Sequence, residues 1–366
     1  MSTFRRAEVV AVRSERPGLS IATVDVLGKP GSAVNYDDLT GPVQEGDRLI
    51  VNTRAVDLGL GTGGYHFVVW NMSNESFDGQ AGGHIMKLRY TPLQLSAHSV
   101  EESDEYRRVP EADGLVGCPV IIGSLHSQLV PAVVTARRVD PSARLAYVMT
   151  DGGGLPLVFS QAVASLREAS LLDHTVTVGH AYGGDFEAVN IFSGLLAARN
   201  VAHADIIVVI MGPGVVGTGT TLGFSGLEQG SIVNAVSALG GLPIAIPRLS
   251  FGDKRQRHHG VSHHTLTALA TAAIARAVVA VPEMEAEREA IVWKQLEEAG
   301  VTDDHDVRKV KNDITLGEME KRAFAVTTMG RSPSEEPEFF EAAGAAAIVA
   351  AQAVGLSGHQ EQRNGD

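Results

Sequence analysis

Hydrophobic and polar positions follow one pattern along residues 4–71 and a different one after Cys118. The first stretch contains five segments in which β-branched and other apolar residues alternate with polar ones, and Gly, Pro or Asp bound each segment. Short alternating segments with turns about every 8–12 residues predict a small barrel or sandwich. The five segments are AEVVAVRSE, LSIATVDV, SAVNYDDL, DRLIVNT and GYHFVVWNM.

From residue 118 onward, short apolar runs alternate with longer amphipathic segments. The runs are PVIIGS, RLAYVMT, HTVTVGH, DIIVVIMG and PIAIPR. Continuous apolar strands separated by helices of about 10–15 residues predict a parallel sheet that is covered on both faces. The predicted fold class is therefore α/β: a doubly wound, mostly parallel sheet, with a small β-barrel-like N-terminal domain and helical C-terminal additions.

The same patterns predict the domain boundaries. Residues 1–100 form the β-rich barrel or sandwich, and the charged segment 101–117, which contains a proline, is the linker. Residues 118–355 form the doubly wound domain, with a helical insertion at about 283–320, and the polar tail 356–366 is frayed. Within the large domain, helices are expected over 186–201 and 264–278 and a further strand within 321–337. Asp185 would be the N-cap of the first of these helices and Glu187 an acidic residue of its first turn.

Composition and charge narrow the classes of function. A net charge of −13 disfavours a nucleic-acid partner, because binding phosphates needs a basic face. The single cysteine, Cys118, excludes an intramolecular disulfide or a cysteine metal cluster, and we expect it to be buried in the packing. Neither a signal peptide nor a membrane span is predicted, so we expect a cytoplasmic protein without a membrane partner.

Glycine occurs with polar residues after each of six predicted strands. The six strand ends are GSLHS, TDGGG, GHAYGGD, MGPGVVGTGT, RLSFGDKRQRHHGVSHH and TTMGR. Ligands of open parallel sheets bind outside the carboxyl ends of the strands. Polar loops alone explain any one of these segments but explain all six poorly, so a small-molecule site is predicted at this edge.

The stretch VVIMGPGVVGTGTTLGFSG, residues 208–226, matches G-x-G-x-x-G after a strand. A dinucleotide turn is disfavoured because no helix follows directly and the next strand ends in Pro247-Arg248 rather than an acidic residue. The absence of a following lysine excludes a P-loop. A nest of backbone N–H groups, together with the hydroxyls of Thr218, Thr220 and Thr221, remains as a site for an anion, and so does the alternative of a long glycine-rich crossover. The candidate binding residues are Gly212, Gly214, Gly217, Thr218, Gly219, Thr220 and Arg248.

A cluster of four histidines follows, flanked by Lys254, Arg255 and Arg257. His259 and His263 have the i, i+4 spacing of two ligands on one helical face, although Gly260 between them weakens that geometry. Three interpretations stay open: a metal site completed from elsewhere, anion binding or acid–base chemistry, and a solvated basic loop. The four histidines are His258, His259, His263 and His264, and the candidates for a further metal ligand are Asp151, His126, His180 and Asp185.

Two further residues are catalytic candidates beside His259 and His263. Asp151 precedes three glycines at a predicted strand end, where the backbone leaves room for a ligand, although a turn-forming role is equally compatible. His126 lies between Ser124 and Ser127 and could act as a base. No G-x-S-x-G segment accompanies it, so a serine hydrolase is poorly supported.

Four separated segments carry a family resemblance. LGTGGYHFVVWN, GHIMKLRYTPLQ, GPGVVGTGT and HHGVSHHT resemble the signature segments of a bacterial family catalogued as domain of unknown function 3866. The similarity extends from about residue 5 to 355. The resemblance implies a full-length soluble bacterial protein, but neither a reaction nor catalytic residues.

The residues themselves predict an enzyme that acts on a small anionic, phosphorylated metabolite bound over residues 212–221. Transfer and hydrolysis are not separated, and no cofactor is identified. One alternative is a ligand-binding or regulatory protein that uses the same cleft without turnover, and another is a metal-dependent hydrolase. The small residues of EAAGAAAIVAAQAVG permit close helix approach, within one chain or in a homo-oligomer.

Overall fold

The computed structural model describes residues 3–61, 63–79, 82–108 and 114–363, except for the side chains of 14–15 and 356–363. The chain divides into two compact units, Met1–His98 and Ser99–Asp366. Each described unit has its own cluster of buried apolar side chains. The predicted fold class is confirmed: a closed β-barrel precedes a parallel sheet with helices on its faces.

The first unit is a five-stranded closed barrel with strand order β1-β2-β3-β5-β4. Its strands are β1 Phe4–Arg16, β2 Leu19–Asp25, β3 Pro30–Tyr36, β4 Arg48–Asn52 and β5 Tyr65–Asn71. Only the β3–β5 pair is parallel. Alternate side chains such as Val24, Leu49 and Val51 fill the interior, as the alternating sequence predicts. The unit also contains α1 Asp37–Thr40, α2 Arg54–Asp57, and a small hairpin of β6 Ile85–Lys87 and β7 Leu95–Ala97.

The second unit is built on an eight-stranded sheet whose order is β11-β10-β9-β12-β8-β13-β16-β17, with every neighbouring pair parallel. The central strands are buried on both faces, which explains their continuous apolar sequence. The strands are β8 Pro119–Ile122, β9 Leu145–Thr150, β10 His174–Val178, β11 Phe186–Ala188, β12 Ile206–Met211, β13 Leu242–Ala245, β16 Val278–Pro282 and β17 Asp306–Val310. A separate ribbon pairs β14 Leu249–Ser250 with β15 Gly260–Val261.

Helices cover both faces of this sheet. Helices α4, α11 and α12 pack together, and α6 and α7 contact each other and the strands from the other side. The helices are α3 Asp104–Arg108, α4 Leu129–Val139, α5 Gln161–Glu168, α6 Ile191–Leu196, α7 Glu228–Ala238, α8 His263–Thr267, α9 Ala286–Glu298, α10 Val301–Asp304, α11 Thr315–Lys321 and α12 Pro337–Arg363. Single π-helical turns, Ala197–Val201 and Ala268–Ala272, extend α6 and α8.

Two predicted helices are shorter than expected because each shares its segment with a strand. The segment 186–201 begins as β11, and α6 starts only after Asn190, whose side chain caps it. Asp185 therefore does not cap a helix; it accepts hydrogen bonds from the Thr175 backbone N–H and hydroxyl and pairs with Arg167. The segment 264–278 leaves its helix at residue 272 and enters β16.

The C-terminal third also differs from the prediction. The region 283–320 is not wholly helical, because β17 forms the edge of the sheet between α10 and α11. The prediction of a strand within 321–337 is wrong, because among the described residues this segment contains only an isolated bridge between Thr328 and Arg331. Turn residues around Gly330, which has a positive φ of 80°, prevent extended pairing there.

The segment predicted as a linker, 101–117, contributes to the second unit. Residues 100–102 form a 3₁₀ turn that is followed by α3, and Tyr106 and Leu115 belong to the large apolar core. Residues 109–113 lie outside the described part of the chain. The predicted tail begins inside α12, whose backbone is helical to Arg363.

Helix α12 contains the stretch Pro337–Gly355, the one described helix that is long and apolar enough to cross a membrane. Since 72% of this stretch is buried inside the protein, it has the character of a core helix. Its alanines, including Ala343, Ala346 and Ala347, are fully buried where α12 packs against α4 and the sheet. The small residues thus allow close packing within the chain and give no support to self-association.

Candidate functional site

A cleft of about 200 Å³ lies in the second unit, between the segments that follow β12 and β13 and the turn that contains Met329. This is the carboxyl-end side of the sheet, where the sequence predicts a ligand site. The cleft is lined by Val215, Val216, Gly217, Gly219, Arg248, Arg255, Arg257, His258, His264 and Met329. It therefore brings the glycine-rich loop and the basic, histidine-rich segment together.

The glycine-rich loop folds back on itself. Gly217 and Phe224 form an antiparallel bridge, and the Thr218 N–H donates to the Gly223 carbonyl over 2.8 Å. The hydroxyls of Thr218 and Thr220 lie 2.9 Å apart, and the Gly223 N–H donates to Thr220 Oγ1. These hydroxyls, predicted as donors to an anion, are thus used to hold the loop together.

The glycines of the loop differ in how much room surrounds them. A Cβ on Gly217 would make only ordinary contacts, 3.4 Å from Phe224 Cβ and 3.8 Å from His264 Nε2, whereas one on Gly219, whose φ is +83°, would come 3.0 Å from Arg257 Nη1. Gly212 packs against the Gly154 carbonyl, and Gly214 has a φ of +101°. A 3₁₀ turn and then α7 begin only after Phe224, so no helix N-terminus follows the glycines as a dinucleotide turn would require.

Arg248 is buried on one side of the cleft, with 4% of its surface exposed. Its backbone N–H donates to Thr265 Oγ1 over 2.9 Å, and its Nη1 donates to His264 Nδ1 over 3.4 Å. Burial, together with the charge of Arg255, lowers the pKa of Arg248 to about 10, with Asp253 opposing the shift. The guanidinium is still protonated at neutral pH.

Positive charge exceeds negative charge around the cleft. Asp253 accepts two hydrogen bonds from the Arg255 side chain, at 2.7 and 2.9 Å, and one from the Arg255 backbone N–H at 3.0 Å, and it also lies 3.6 Å from Arg331. The Arg255 contacts hold the pKa of the Asp253 carboxyl well below its usual range. In the described part of the chain, no carboxylate is within ion-pair distance of Arg257. The charged groups are Arg248, Arg255, Arg257, Arg331, Asp253 and Glu336. Four cations thus face two carboxylates in a chain whose net charge is −13.

Three of the four clustered histidines come together beside these arginines. One potential ligand atom from each of His258, His263 and His264 lies within 4.8 Å of the others. Their ring centroids are 4.4–5.1 Å apart. The β14–β15 ribbon positions His258, and Ser262 caps α8 by accepting the His264 N–H, which places the other two histidines in the first turn. We refer to these three residues as the histidine trio.

The hydrogen bonds of the trio fix the tautomer of His258. An arginine can only donate, so the 3.4 Å contact from Arg257 Nε makes His258 Nε2 an acceptor. The ring proton therefore lies on Nδ1, which donates to Ser262 Oγ over 2.7 Å. Burial and the neighbouring Arg248 lower the pKa of both His258 and His264 to about 3. All three imidazoles are neutral at pH 7, since burial also lowers the pKa of His263.

The sequence matches the family described as protein of unknown function (DUF3866) over residues 32–347. The chain belongs to the DUF3866 family. The predicted resemblance is confirmed, and the matched stretch includes every residue that lines the cleft. No curated protein matches the chain.

His259, the fourth histidine of this DUF3866 protein, does not join the trio. Its ring lies edge-on against Phe251, with centroids 5.3 Å apart, and its carbonyl accepts a hydrogen bond from Gln295 Nε2. The predicted pair of His259 and His263 is thus replaced by His258, His263 and His264. The predicted pair does not form because the backbone of His259 is extended, between a 3₁₀ turn and β15, whereas the i, i+4 spacing brings two side chains together only in a helix.

Both ring nitrogens of His126, a predicted catalytic base, form hydrogen bonds outside the cleft of this DUF3866 protein. Its Nδ1 donates to the Met211 carbonyl over 3.1 Å, and its Nε2 accepts from Ser160 Oγ over 2.6 Å. Ser160 in turn caps α5 by accepting the Val163 N–H. Burial lowers the pKa of His126 to about 4. These bonds tie the end of β12 to the end of β8, and His126 does not line the cleft.

Asp151, another catalytic candidate, is exposed at the end of β9 and does not line the cleft either. Its carboxylate accepts the His180 N–H over 2.9 Å and so joins the ends of β9 and β10. Close by, Thr150 Oγ1 donates to Glu228 over 2.5 Å. Burial raises the pKa of Glu228 to about 7 despite this bond, and the charge of Asp151 adds to the shift. Glu228 begins the helix-like segment EQGSIVNAVSALGG, and the sequence there gives no sign of its burial.

Phe224 is a cleft-side residue that the sequence analysis missed. Its ring is stacked on the His264 ring, with centroids 3.9 Å apart and planes 3° from parallel. It meets the His263 ring edge-on, with centroids 5.8 Å apart. The only signal available in the sequence was a lone aromatic residue in a loop of Gly, Thr and Ser. Stacking ties the glycine-rich loop of this DUF3866 protein to the histidine trio.

Proposed function

We propose that this protein is an enzyme that acts on a small anionic, phosphorylated metabolite bound in the cleft. The observation that carries the proposal is Arg257, which has no carboxylate within ion-pair distance among the described residues and lies beside Arg248 in a cleft where cations outnumber carboxylates. In a chain of net charge −13, a concentrated positive site of this kind favours an anionic ligand.

The cleft suits a phosphate group for two reasons. Guanidinium groups match the geometry of phosphate oxygens and donate paired, charge-assisted hydrogen bonds. A volume of about 200 Å³ accommodates a phosphate with a small organic portion, but not a dinucleotide. Val215, Val216 and Met329 supply apolar lining for that organic portion.

The histidines give the site its chemistry. His258 and His264 line the cleft as neutral imidazoles whose low pKa values reflect burial and the nearby arginines. A bound anion offsets the arginine charges and raises these pKa values, so that an imidazole can exchange a proton with the ligand. Transfer and hydrolysis of a phosphoryl group both need this combination of a charge clamp and a proton carrier.

The proposal predicts that Arg257→Ala weakens phosphate binding. Loss of a charge-assisted hydrogen bond costs about 1.5–3 kcal/mol, so we expect the Kd for inorganic phosphate to rise about tenfold or more. Isothermal titration calorimetry on chelator-treated full-length protein measures it. Lys254→Ala is the matched control, because Lys254 is an exposed cation of the same loop that does not line the cleft. Equal losses in both variants, or no phosphate binding by the unaltered protein, would refute the anion site.

Turnover is tested separately from binding. The protein is incubated with a panel of phosphorylated metabolites, and mass spectrometry follows substrate loss and product formation, with the His264→Gln variant in parallel. Slower turnover in the His264→Gln variant than in the unaltered protein supports the proposal that the protein is an enzyme. Tight, Arg257-dependent binding without any turnover would replace the enzyme with a ligand-binding or regulatory protein that uses the same cleft.

A further inference from the structure

We propose that His258, His263 and His264 form a binding site for one divalent transition-metal cation of the zinc type, with a coordination position open toward the cleft. The inference deepens the proposed function, because a cation here would hold the anionic ligand together with Arg257. In the metal-bound protein the three imidazoles are ligands, so the cation, rather than an imidazole proton, would act on the anionic ligand. The inference rests on that function only for this coupling, since the ligand set itself comes from the geometry of the trio.

The three imidazoles are close to the arrangement that zinc requires. Zn–N bonds of about 2.0–2.1 Å in a tetrahedral site place ligand nitrogens about 3.3 Å apart. The potential ligand atoms lie within 4.8 Å of one another, so each pair must close by roughly 1.5 Å or less. Rotation of the His258 side chain at the end of its 3₁₀ turn, and of the His263 and His264 side chains in the first turn of α8, can supply this movement. Three imidazoles with an open fourth position are one of the ligand sets of catalytic zinc.

Two hydrogen-bonding features favour a cation over a purely structural cluster. Ser262 Oγ lies 2.7 Å from His258 Nδ1 and turns Nε2 of that ring toward the cleft, which is the support that metal-bound imidazoles usually have. His263 Nε2 is buried and has no hydrogen-bond partner among the described residues. A buried polar atom without a partner costs free energy, and coordination of a cation would satisfy it.

The surrounding arginines make the cation and the anion interdependent. Arg257 and Arg248 direct N–H groups at nitrogens of His258 and His264 over 3.4 Å, and a cation near those nitrogens displaces the donors. The released guanidinium groups and the cation repel one another unless an anion lies between them. Zinc and phosphate should therefore each increase the affinity of the other by the same factor.

The test measures zinc binding by full-length protein after chelator treatment. Calorimetry and elemental analysis should show one zinc per chain, and His258→Gln, His263→Gln and His264→Gln should each weaken binding at least about tenfold. His259→Gln is the matched control, because this fourth histidine lies against Phe251 and outside the trio. Its zinc affinity should stay within about twofold of that of the unaltered protein, since it removes no ligand.

Circular dichroism shows whether each variant folds. A second measurement, on the unaltered protein, tests the metal site even if a variant does not fold. Four-coordinate Co²⁺ in the unaltered protein should give visible absorption bands, and saturating phosphate should shift them. A protein that takes up no stoichiometric zinc or cobalt overturns the proposal, as does a His259→Gln variant that loses as much affinity as His263→Gln.

The proposed function and the metal site can fail separately. Phosphate binding that depends on Arg257 in metal-free protein, without any uptake of zinc, would leave the proposed function standing and remove the metal site. Uptake of one zinc per chain without phosphate binding would leave the metal site standing and remove the proposed function.

Discussion

Glu228 shows how a single residue at the carboxyl edge of the sheet acquires an unusual charge state. A Cβ on Gly152 would come 2.6 Å from its Oε2, so the backbone after β9 closes over the carboxyl. Thr150 offers its hydroxyl, and Asp151 adds a nearby negative charge. Burial is the largest of these effects, and it makes the neutral carboxylic acid the favoured form up to about pH 7.

This environment predicts a stability that depends on pH. The folded pKa of about 7 lies above the ordinary value of 4.5, so the folded protein binds this proton more tightly than the unfolded chain does. The stabilisation is complete below about pH 4.5 and is lost as the pH rises through 7, by up to about 3 kcal/mol. Glu228→Gln should remove this contribution, so the variant should gain stability relative to the unaltered protein at about pH 8 but not at about pH 5.

Urea unfolding of the two proteins at both pH values measures the difference. Glu320→Gln, a change at an exposed carboxylate, is the control and should not alter the pH dependence. A Glu228→Gln variant whose stability differs from the unaltered protein by the same amount at both pH values would contradict the assignment.

At the scale of elements, the β14–β15 ribbon and α9 hold the basic side of the cleft. Gln295 on α9 accepts the Val261 N–H over 2.7 Å and donates to the His259 carbonyl over 3.0 Å. This one side chain thus clamps the strand that lies between His258 and Ser262. Gly260 lies inside the clamp with a φ of +74°, and a Cβ there would come 2.3 Å from Gln295 Oε1.

Gly260→Ala should therefore open the clamp. We expect a loss of about 2–3 kcal/mol in the free energy of unfolding, from the left-handed backbone and from the displaced Gln295. Weaker phosphate binding should accompany it, since the arginines and histidines on both sides of the ribbon move. Gly300→Ala separates the two causes, because Gly300 has a φ of +75° with nothing within 4 Å of a Cβ. Similar losses in the two variants, by chemical denaturation, would show that the clamp contributes nothing.

The sequence alone predicts the strands whose pattern of hydrophobic and polar residues is strong. The continuous apolar runs of β8, β9 and β12 are buried on both faces, and the alternating segments close into the barrel. Strand β16 was missed because AVVAVP continues an alanine-rich helix without a change in hydrophobic period. Strand β11 is only three residues long, and its register depends on β10 rather than on its own residues.

The site was only partly predictable for a related reason. Arg248 and the histidine segment were identified, but which three histidines meet depends on the ribbon, the 3₁₀ turn and the Ser262 cap. Asp151 and His126 follow strands as expected. Their side chains nevertheless tie strand ends to neighbouring backbone, which a list of strand ends does not reveal.

At the scale of the whole molecule, the two units have separate apolar cores. The barrel core contains residues from Ala7 to Val68, and the larger core contains residues from Val100 to Ala351. Every residue that lines the cleft belongs to the second unit. The ligand site and the barrel are therefore built from different parts of the chain.

Residues 99–366, produced without the barrel, should fold and keep the cleft. Their phosphate affinity should lie within about threefold of that of the full chain, because no lining residue is lost. Circular dichroism melting and calorimetry measure this, with Arg257→Ala in the shortened chain as a specificity control. An unfolded fragment, or a folded one without phosphate binding, would show that the barrel is required for the site.

Helix α12 covers β8 and α4, although it follows them by about 200 residues of sequence. At synthesis rates of about 5–20 residues per second, roughly 10–40 s pass before that cover leaves the ribosome. During this interval the apolar sides of α4 and the oldest strand of the sheet lack their native partner. The nascent chain is therefore exposed to aggregation and to chaperone capture at the centre of its largest core until α12 has been made.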